Sequence, residues 1–251
     1  MNRMTTDLAQ HNIEIAENRD HWNRKPLLQC VYRQFYADIA RRVDRSRPGL
    51  LAELGSGMGN IKEHLPDCIT TDVFPNPWLD RVENAYALTF ADQTVSNLVL
   101  FDVWHHLQYP GEALREFSRV LVPGGRIVLF EPAMGLLGKF VFGRFHHEPL
   151  GLEHPIQWRA PEGFNPAAPC YYAAQGNASR TFGAGGDASE LAEWRITEVA
   201  YYSGLAYLGT GGFRGPQLYP LTLLPVFNAI DSLLSHFQGL ASRMLVVLDK
   251  R

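Results

Sequence analysis

Glu53-Leu54-Gly55-Ser56-Gly57-Met58-Gly59 directly follows the short apolar run Leu50-Leu51-Ala52 and precedes a helix-like stretch from Asn60 to Leu65. A strand that runs into a glycine-rich turn and then opens a helix holds a nucleotide-like ligand against bare backbone. Glycine is needed in such a turn because a Cβ would block the ligand's approach or forbid the backbone angles. The spacing here is G-x-G-x-G, with an acid two residues before the first glycine. The dinucleotide fingerprint is G-x-G-x-x-G, with its acid only later.

Working outward, Cys68-Ile69-Thr70-Thr71-Asp72 is a β-prone run that ends in a carboxylate seventeen residues after Gly55. In a doubly wound sheet, an acid at the end of the second strand can accept both hydroxyls of a ribose. The alternative is a turn residue ahead of Phe74-Pro75-Asn76-Pro77. Val95 to Phe101 is an apolar strand, followed by Asp102-Val103-Trp104-His105-His106-Leu107. After Tyr109-Pro110-Gly111, a helix carries Leu114, Phe117 and Leu121 on one face and ends at Pro123-Gly124-Gly125. A second apolar run, Arg126 to Phe130, closes at Glu131-Pro132. Helix, Pro-Gly-Gly turn and buried strand make one more βαβ step.

ELGSGMG at 53–59, TTD at 70–72, ENAYALTFAD at 83–92, LFDVWHHL at 100–107 and RVLVPGGRIVLFEP at 119–132 stand in one order along residues 50–132. As a set they resemble the class I S-adenosylmethionine-dependent methyltransferases, of the broad small-molecule kind called type 11. Residues 203–220, with Gly211-Gly212-Phe213, and the strand around Leu245-Val246-Val247-Leu248 are similar to the tail of one branch of that family. The resemblance implies an α/β fold: a Rossmann-like, doubly wound, seven-stranded sheet. It would be mostly parallel with an antiparallel last strand, and have helices on both faces.

The resemblance also assigns roles. Backbone at Gly55, Ser56 and Gly57 would approach the amino-acid and ribose portions of S-adenosyl-L-methionine, with Gly59 completing the loop. Glu53 would support the loop or reach the cofactor's ammonium through water. Asp72 would bind the ribose hydroxyls, and Val73 would lie on the adenine. The family commonly has an acid before an alanine after the third strand, to accept from the adenine amine. This chain has Asn84 before Ala85, so the charge is missing. The Ala85 N–H would face an adenine ring nitrogen. Asp102 would offer its backbone carbonyl to the methionine moiety, with Val103 beside it.

Composition agrees with a soluble globular protein. The 251 residues suffice for one α/β domain with its own core. A 46% apolar and 20% charged chain with net charge −3 offers no electrostatic surface for nucleic acid. Arg41, Arg42 and Arg45 are expected to be solvated at a helix end. Cys30, Cys68 and Cys170 form no C-x-x-C pair, so neither a metal site nor a redox motif is expected from cysteine. The first thirty residues lack an apolar leader and no run of 18 apolar residues occurs. The expected location is cytoplasmic, without stable membrane insertion.

The chain divides into a helical cover at 1–49, a cofactor-binding core at 50–132, and substrate machinery with the last strands at 133–251. Leu28, Val31, Phe35 and Ile39 recur at helical spacing, which predicts an amphipathic helix over about 27–43. Trp22, just ahead of it, is expected to line the cofactor site. Residues 136–145 (LLGKFVFGRF) read as a lid or core helix, with a membrane-surface helix as the alternative. Residues 151–190, rich in Gly, Ala and Pro, read as inserted loops, the usual place of substrate selection. Residues 195–203 alternate like a strand. Val226 to Phe237 mark a helix, with Pro225 at its start and Gly239 past its end.

Methyl transfer from a sulfonium needs alignment and water exclusion more than a catalytic triad, and none is visible. His106 would either hold the turn after the fourth strand or handle a proton. His147, within His146-His147-Glu148, is the second catalytic candidate. Adjacent histidines seldom coordinate one ion alone, so that run is not read as a metal site. One member of Tyr171/Tyr172 and one of Tyr201/Tyr202 could line an acceptor pocket, since neighbours on a strand point opposite ways. The reading is a methyltransferase with a small-molecule or glycan-like acceptor. The alternatives are a non-catalytic cofactor-binding scaffold and an NAD-dependent oxidoreductase.

Overall fold

The structure, a computed structural model, describes residues 8–146, 148–168, 172–186 and 189–251. Two helices come first, α1 (Leu8–Arg24) and α2 (Pro26–Ala40). Pro26 starts α2 in its first turn, where a missing N–H leaves no bond unmade. The α2 stripe is buried along its length, from Leu28 through Val31, Phe35 and Ile39, as the spacing predicts.

Seven strands follow: β1 (Leu50–Leu54), β2 (Ile69–Asp72), β3 (Arg81–Val82), β4 (Val95–Phe101), β5 (Leu121–Pro132), β6 (Trp194–Tyr202) and β7 (Arg243–Lys250). They form one sheet in the order β3-β2-β1-β4-β5-β7-β6. The pairs from β3 to β5 are parallel, and β7 runs antiparallel to both β5 and β6. Register aligns Ala52 with Leu98, Leu98 with Ile127 and Ile127 with Leu248. This is the expected mostly parallel, doubly wound sheet.

The period of two along each strand divides the core between two faces. Leu98, Leu100, Ile127 and Leu129 pack on one face with Leu114 and Phe117 of α3 (Pro110–Val120). Val99, Phe101, Val128 and Phe130 pack on the other with Val31, Phe35 and Ile39 of α2. The central strand β4 is buried at every residue, on both faces of the sheet, as a parallel strand covered by helices on both sides is.

Four expectations are corrected. The helix after the glycine loop is only a 3₁₀ turn, Asn60–Glu63. Pro66 and the start of β2 at Ile69 leave no room for more. Arg42 is not solvated; its Nη2 lies 2.6 Å from Glu198 Oε1, tying α2 to β6. Arg41 and Arg45 are exposed as expected, Arg45 beside Asp67. Gly239 does not cap α5 (Leu224–Leu234), which ends on Ser235; the glycine sits in a following 3₁₀ turn, Gln238–Leu240. Finally, α4 (Leu136–Phe145) is no core helix, because only Gly138 and Phe142 are buried while Leu136, Phe140 and Phe145 face solvent. Among the described residues no helix is long and apolar enough to cross a membrane.

Candidate functional site

A cavity of about 440 Å³ opens at the C-terminal ends of β1, β2 and β4, where open α/β sheets bind ligands. Its floor is the glycine loop. Gly55, Gly57 and Gly59 all have positive φ, at 70°, 51° and 70°, the region L side chains avoid. A Cβ on Gly55 would also collide with Val103 Cγ2, so the turn after β1 and the turn after β4 interlock only with glycine there. Gly55, Ser56 and Gly57 line the cavity. Gly59 lies behind it, capping the 3₁₀ turn at Asn60.

Asp72 ends β2 beside this loop. Its Oδ2 accepts the Gly57 N–H at 3.1 Å and its Oδ1 accepts the Val73 N–H at 2.7 Å. These bonds hold the carboxylate at the cavity edge, next to Val73. Glu53 is 1% exposed, and neither of its carboxylate oxygens has a hydrogen-bond partner among the described residues. Burial, reinforced by the Asp72 charge, pushes its carboxyl up to about 8. An unpaired carboxyl under a ligand-binding loop is costly, and a cationic group is the species that would relieve it.

Asn84 and Ala85 line the third side of the cavity. The Asn84 Oδ1 accepts the Tyr86 N–H at 3.0 Å, so the amide already shapes its own turn. Asp102 adopts φ 58°, unusual for a residue with a side chain. Its carboxylate pairs with Arg243, with Nη1–Oδ1 at 2.8 Å and Nη2–Oδ2 at 2.9 Å. Arg243 is buried at the start of β7, its guanidinium 5.0 Å from the Phe130 ring centroid and 5.4 Å from that of Phe101. This pair was not expected from the sequence; an arginine opening an apolar strand gives no hint of its distant partner.

The cover differs in detail from the expectation. Trp22 does not line the cavity. It is buried behind it, edge-on to Tyr32 at 5.4 Å and 6.4 Å from Phe213. Ile15 and Asn18 of α1 and Tyr32 and Tyr36 of α2 reach the cavity instead. One helical turn separates Ile15 and Asn18, whereas Trp22 points into the aromatic cluster. Phe213 lines the cavity from the Gly-rich tail. Lys25 Nζ holds that loop by donating to the Gly212 and Gly215 carbonyls at 2.6 and 2.5 Å.

The turn after β4 is organised by Glu131, which the sequence reading did not single out. Its Oε1 accepts the Val103 and Trp104 N–H groups at 2.7 and 2.6 Å, and its Oε2 lies 2.7 Å from His105 Nδ1. His105, not His106, is therefore tied to the turn's anchor. Burial lowers the His105 pKa most of any single cause, but the charge and hydrogen bond of Glu131 together with the charges of Asp102 and Glu148 raise it on balance. His106 lines the cavity and its Nδ1 lies 2.7 Å from the Tyr172 carbonyl. Burial and the adjacent His105 push it down to about 4. Glu148 comes close to both, 3.7 Å from His105 Nε2 and 3.8 Å from His106 Nε2.

His147 and Tyr171 lie outside the described residues, as does Cys170. Tyr172 lines the cavity, so the inserted loops contribute one wall. Tyr201 and Tyr202 do not: they pack on opposite faces of the sheet, as alternation requires.

Residues 53–129 match the family described as a methyltransferase domain, a span of less than a third of the chain. The fold is similar to that of the candidate methyltransferase in complex with the Haloferax volcanii Trm112 methyltransferase activator. There the TM-score is 0.54 at 14% identity, covering 95% of this chain and 94% of that one. It is also similar to geranyl diphosphate methyltransferase in complex with S-adenosylmethionine, with TM-score 0.51 at 14% identity over 87% and 85% of the two chains. A third is geranyl diphosphate C-methyltransferase from Streptomyces coelicolor A3(2), with TM-score 0.50 at 13% identity over 88% and 80%. At these identities the likeness is one of fold. No curated protein sequence is significantly similar to the chain. The domain match and the shared fold bear out the resemblance drawn from the five motifs.

Proposed function

We propose, starting from the class I S-adenosylmethionine-dependent methyltransferase domain that this chain contains, that the protein transfers a methyl group to oxygen, nitrogen or carbon of a small-molecule or glycan-like acceptor. The observation that carries this reading is the pairing of Asp72 with the buried, unpartnered Glu53 around one glycine loop. Asp72 is a fixed acceptor at the cavity edge, suited to the vicinal hydroxyls of a ribose. Glu53 is a buried carboxyl whose ionised form a cation would stabilise, suited to an ammonium group. S-adenosylmethionine contains both groups, and when bound it would supply a methyl already activated by its sulfonium.

The chain's own contribution is alignment and dryness. The glycine loop admits a ligand close to backbone N–H groups because no Cβ intervenes. Val73 and Ala85 offer apolar surface for a flat ring, as the family pattern implies. The Asp102–Arg243 pair fixes the end of β4 across the cavity from the loop. Tyr32, Tyr36 and Phe213 close the aromatic cover. His106 lies where an acceptor would enter, with its Nδ1–H given to Tyr172 and its Nε2 turned toward Glu148.

Calorimetric titration with S-adenosylmethionine and S-adenosylhomocysteine tests the cofactor assignment. Micromolar binding of both, without binding of NAD, is expected. Absence of binding to either would refute it. Methyl transfer to a panel of oxygen, nitrogen and carbon acceptors then separates an enzyme from a non-catalytic scaffold.

A further inference from the structure

We infer that α4 and α5, with the loop that leads into α5, form a docking face for an anionic phospholipid surface. Ten of the fourteen large apolar side chains exposed among the described residues fall in two segments, 136–145 and 218–237. Single exposed apolar side chains are ordinary, whereas a concentrated patch marks an interaction site. The two segments adjoin in space. The Gly135 and Gly138 N–H groups donate to the Ala241 carbonyl at 3.1 and 3.3 Å. A Cβ on Gly135 would stand 2.9 Å from the Gly239 carbonyl oxygen. The start of α4 therefore lies against the 3₁₀ turn that follows α5.

The polarity of α5 is reversed. Val226, Ile230 and Leu233, continued by Phe237 just past the helix, recur at helical spacing, and all four are between 39% and 65% exposed. Asp231 is the single charged residue between Leu218 and Gly239, and it turns inward. Its carboxylate accepts the Leu205 and Ala206 N–H groups at 2.7 and 2.8 Å, and the Ser203 hydroxyl. One turn before Asp231, Phe227 stacks on the buried Tyr219 with ring centroids 3.8 Å apart. A helix facing water carries its charge outward and its apolar stripe inward; α5 does the opposite.

Charge selects the partner. α4 contains Lys139 and Arg144 and no acid. Both cations are exposed, and neither pairs with a carboxylate among the described residues. Arg144 lies over the Phe145 ring, 5.8 Å from its centroid. Exposed aromatic and aliphatic side chains, flanked by cations and free of exposed carboxylates, make up the face of a helix that lies in a bilayer interface. A second copy of the chain is a poorer partner. A two-fold contact sets a face against itself, so the cations of both copies would meet without an acid to match them. Anionic headgroups supply that missing charge.

The face shares an edge of the sheet with the cavity. β5 ends at Pro132 and β7 begins at Arg243, in register with each other, on the C-terminal edge where the cavity opens. Phe213 of the cavity wall stands just ahead of Leu218, and α4 leads directly to Glu148 beside His106. Docking would bring this edge to the lipid headgroups. It is peripheral docking, since no helix among the described residues is long and apolar enough to cross a membrane. The face itself does not depend on the methyltransferase reading.

The test is flotation of the full chain with vesicles of phosphatidylcholine alone and of an equimolar mixture with phosphatidylglycerol. Binding to the mixed vesicles that weakens with added salt, and much weaker binding to phosphatidylcholine alone, is expected. Each cation at an anionic surface contributes about fivefold, so replacing Lys139 and Arg144 together by Gln should reduce partitioning roughly twenty- to thirtyfold. Leu233→Ser combined with Phe237→Ser should reduce it roughly tenfold or more. All four side chains are exposed, so circular dichroism should stay unchanged. Absence of wild-type binding to the mixed vesicles, or variants that partition as the wild type does, would overturn the face. So would a dimer in sedimentation equilibrium that the Leu233 and Phe237 variant dissolves and vesicles leave intact; the face would then belong to a second copy. S-adenosylhomocysteine titration of the same samples separates this idea from the previous one. Vesicle binding without cofactor binding would sink the methyltransferase reading alone, and the reverse would sink the docking face alone.

Discussion

Replacing Glu53 by Gln should alter the pH dependence of stability in a way that few other substitutions in this chain can. Burial moves the carboxyl from 4.5 to about 8. Between those values the folded protein holds a proton that the unfolded chain has released, so unfolding free energy falls as pH rises through the window. At 1.36 kcal/mol per pH unit, the full displacement corresponds to at most about 5 kcal/mol. The Gln side chain does not titrate. Its own burial cost, about 1–3 kcal/mol if its amide finds no partner, is the same at every pH. Urea unfolding of both proteins from pH 5 to pH 9 therefore isolates the carboxyl. The difference in stability, variant minus wild type, should climb by several kcal/mol up to pH 8 and flatten beyond it. With saturating S-adenosylhomocysteine the wild type should recover most of that loss, because an ammonium near Glu53 stabilises its ionised form. The variant should bind the ligand more weakly and show no such recovery. Parallel stability curves for the two proteins without ligand would refute the argument, since they would mean that Glu53 is ionised and solvated in the folded state.

Other consequences are equally measurable. Asp72→Ala should weaken S-adenosylhomocysteine binding by roughly 1.5–3 kcal/mol, the value of charge-assisted hydrogen bonds, and an unchanged dissociation constant by calorimetry would dismiss the ribose role. Gly55→Ala places a side chain at φ 70° against Val103; it should lower stability by about 1–2 kcal/mol and cofactor affinity with it, whereas wild-type values in both assays would show that the two turns do not interlock. Arg243→Ala leaves the Asp102 carboxylate half-buried without its partner, so a loss of about 3–5 kcal/mol is expected in urea unfolding. Pairing it with Asp102→Asn should restore part of that loss, and strict additivity would mean the two groups do not interact. His106→Ala should leave S-adenosylhomocysteine affinity intact and reduce methyl transfer; unchanged turnover would reduce the residue to a structural neighbour of Tyr172.

Much of the architecture was legible because its signals are local. Residues 95–101 form β4 with the bounds the apolar run suggested, and α2 buries the stripe read from its spacing. The mistakes have equally local causes. The glycine loop suggested a full helix, but the few residues before β2 accommodate only a 3₁₀ turn. Trp22 looked like a cover residue by position. Its packing on Tyr32 and Phe213 instead turned the α1 face so that Ile15 and Asn18 reach the cavity. The apolar character of α4 suggested a lid or core helix, but amphipathicity does not say whether a neighbour exists, and Leu136, Phe140 and Phe145 face solvent.

The sequence by itself determined the order of the strands in the chain, the glycine turn, and the acid that closes β2. Each depends on neighbouring residues whose periodicity or backbone freedom is written in a few consecutive positions. Only the tertiary structure decided that Arg243 meets Asp102 across 141 positions. The same is true of the Glu131 contact that separates the roles of His105 and His106, and of Glu148 returning from beyond α4 to face both rings. Those pairings follow from sheet register and the closure of long loops. Their energies arise from burying charge beside charge, which no short stretch of chain encodes.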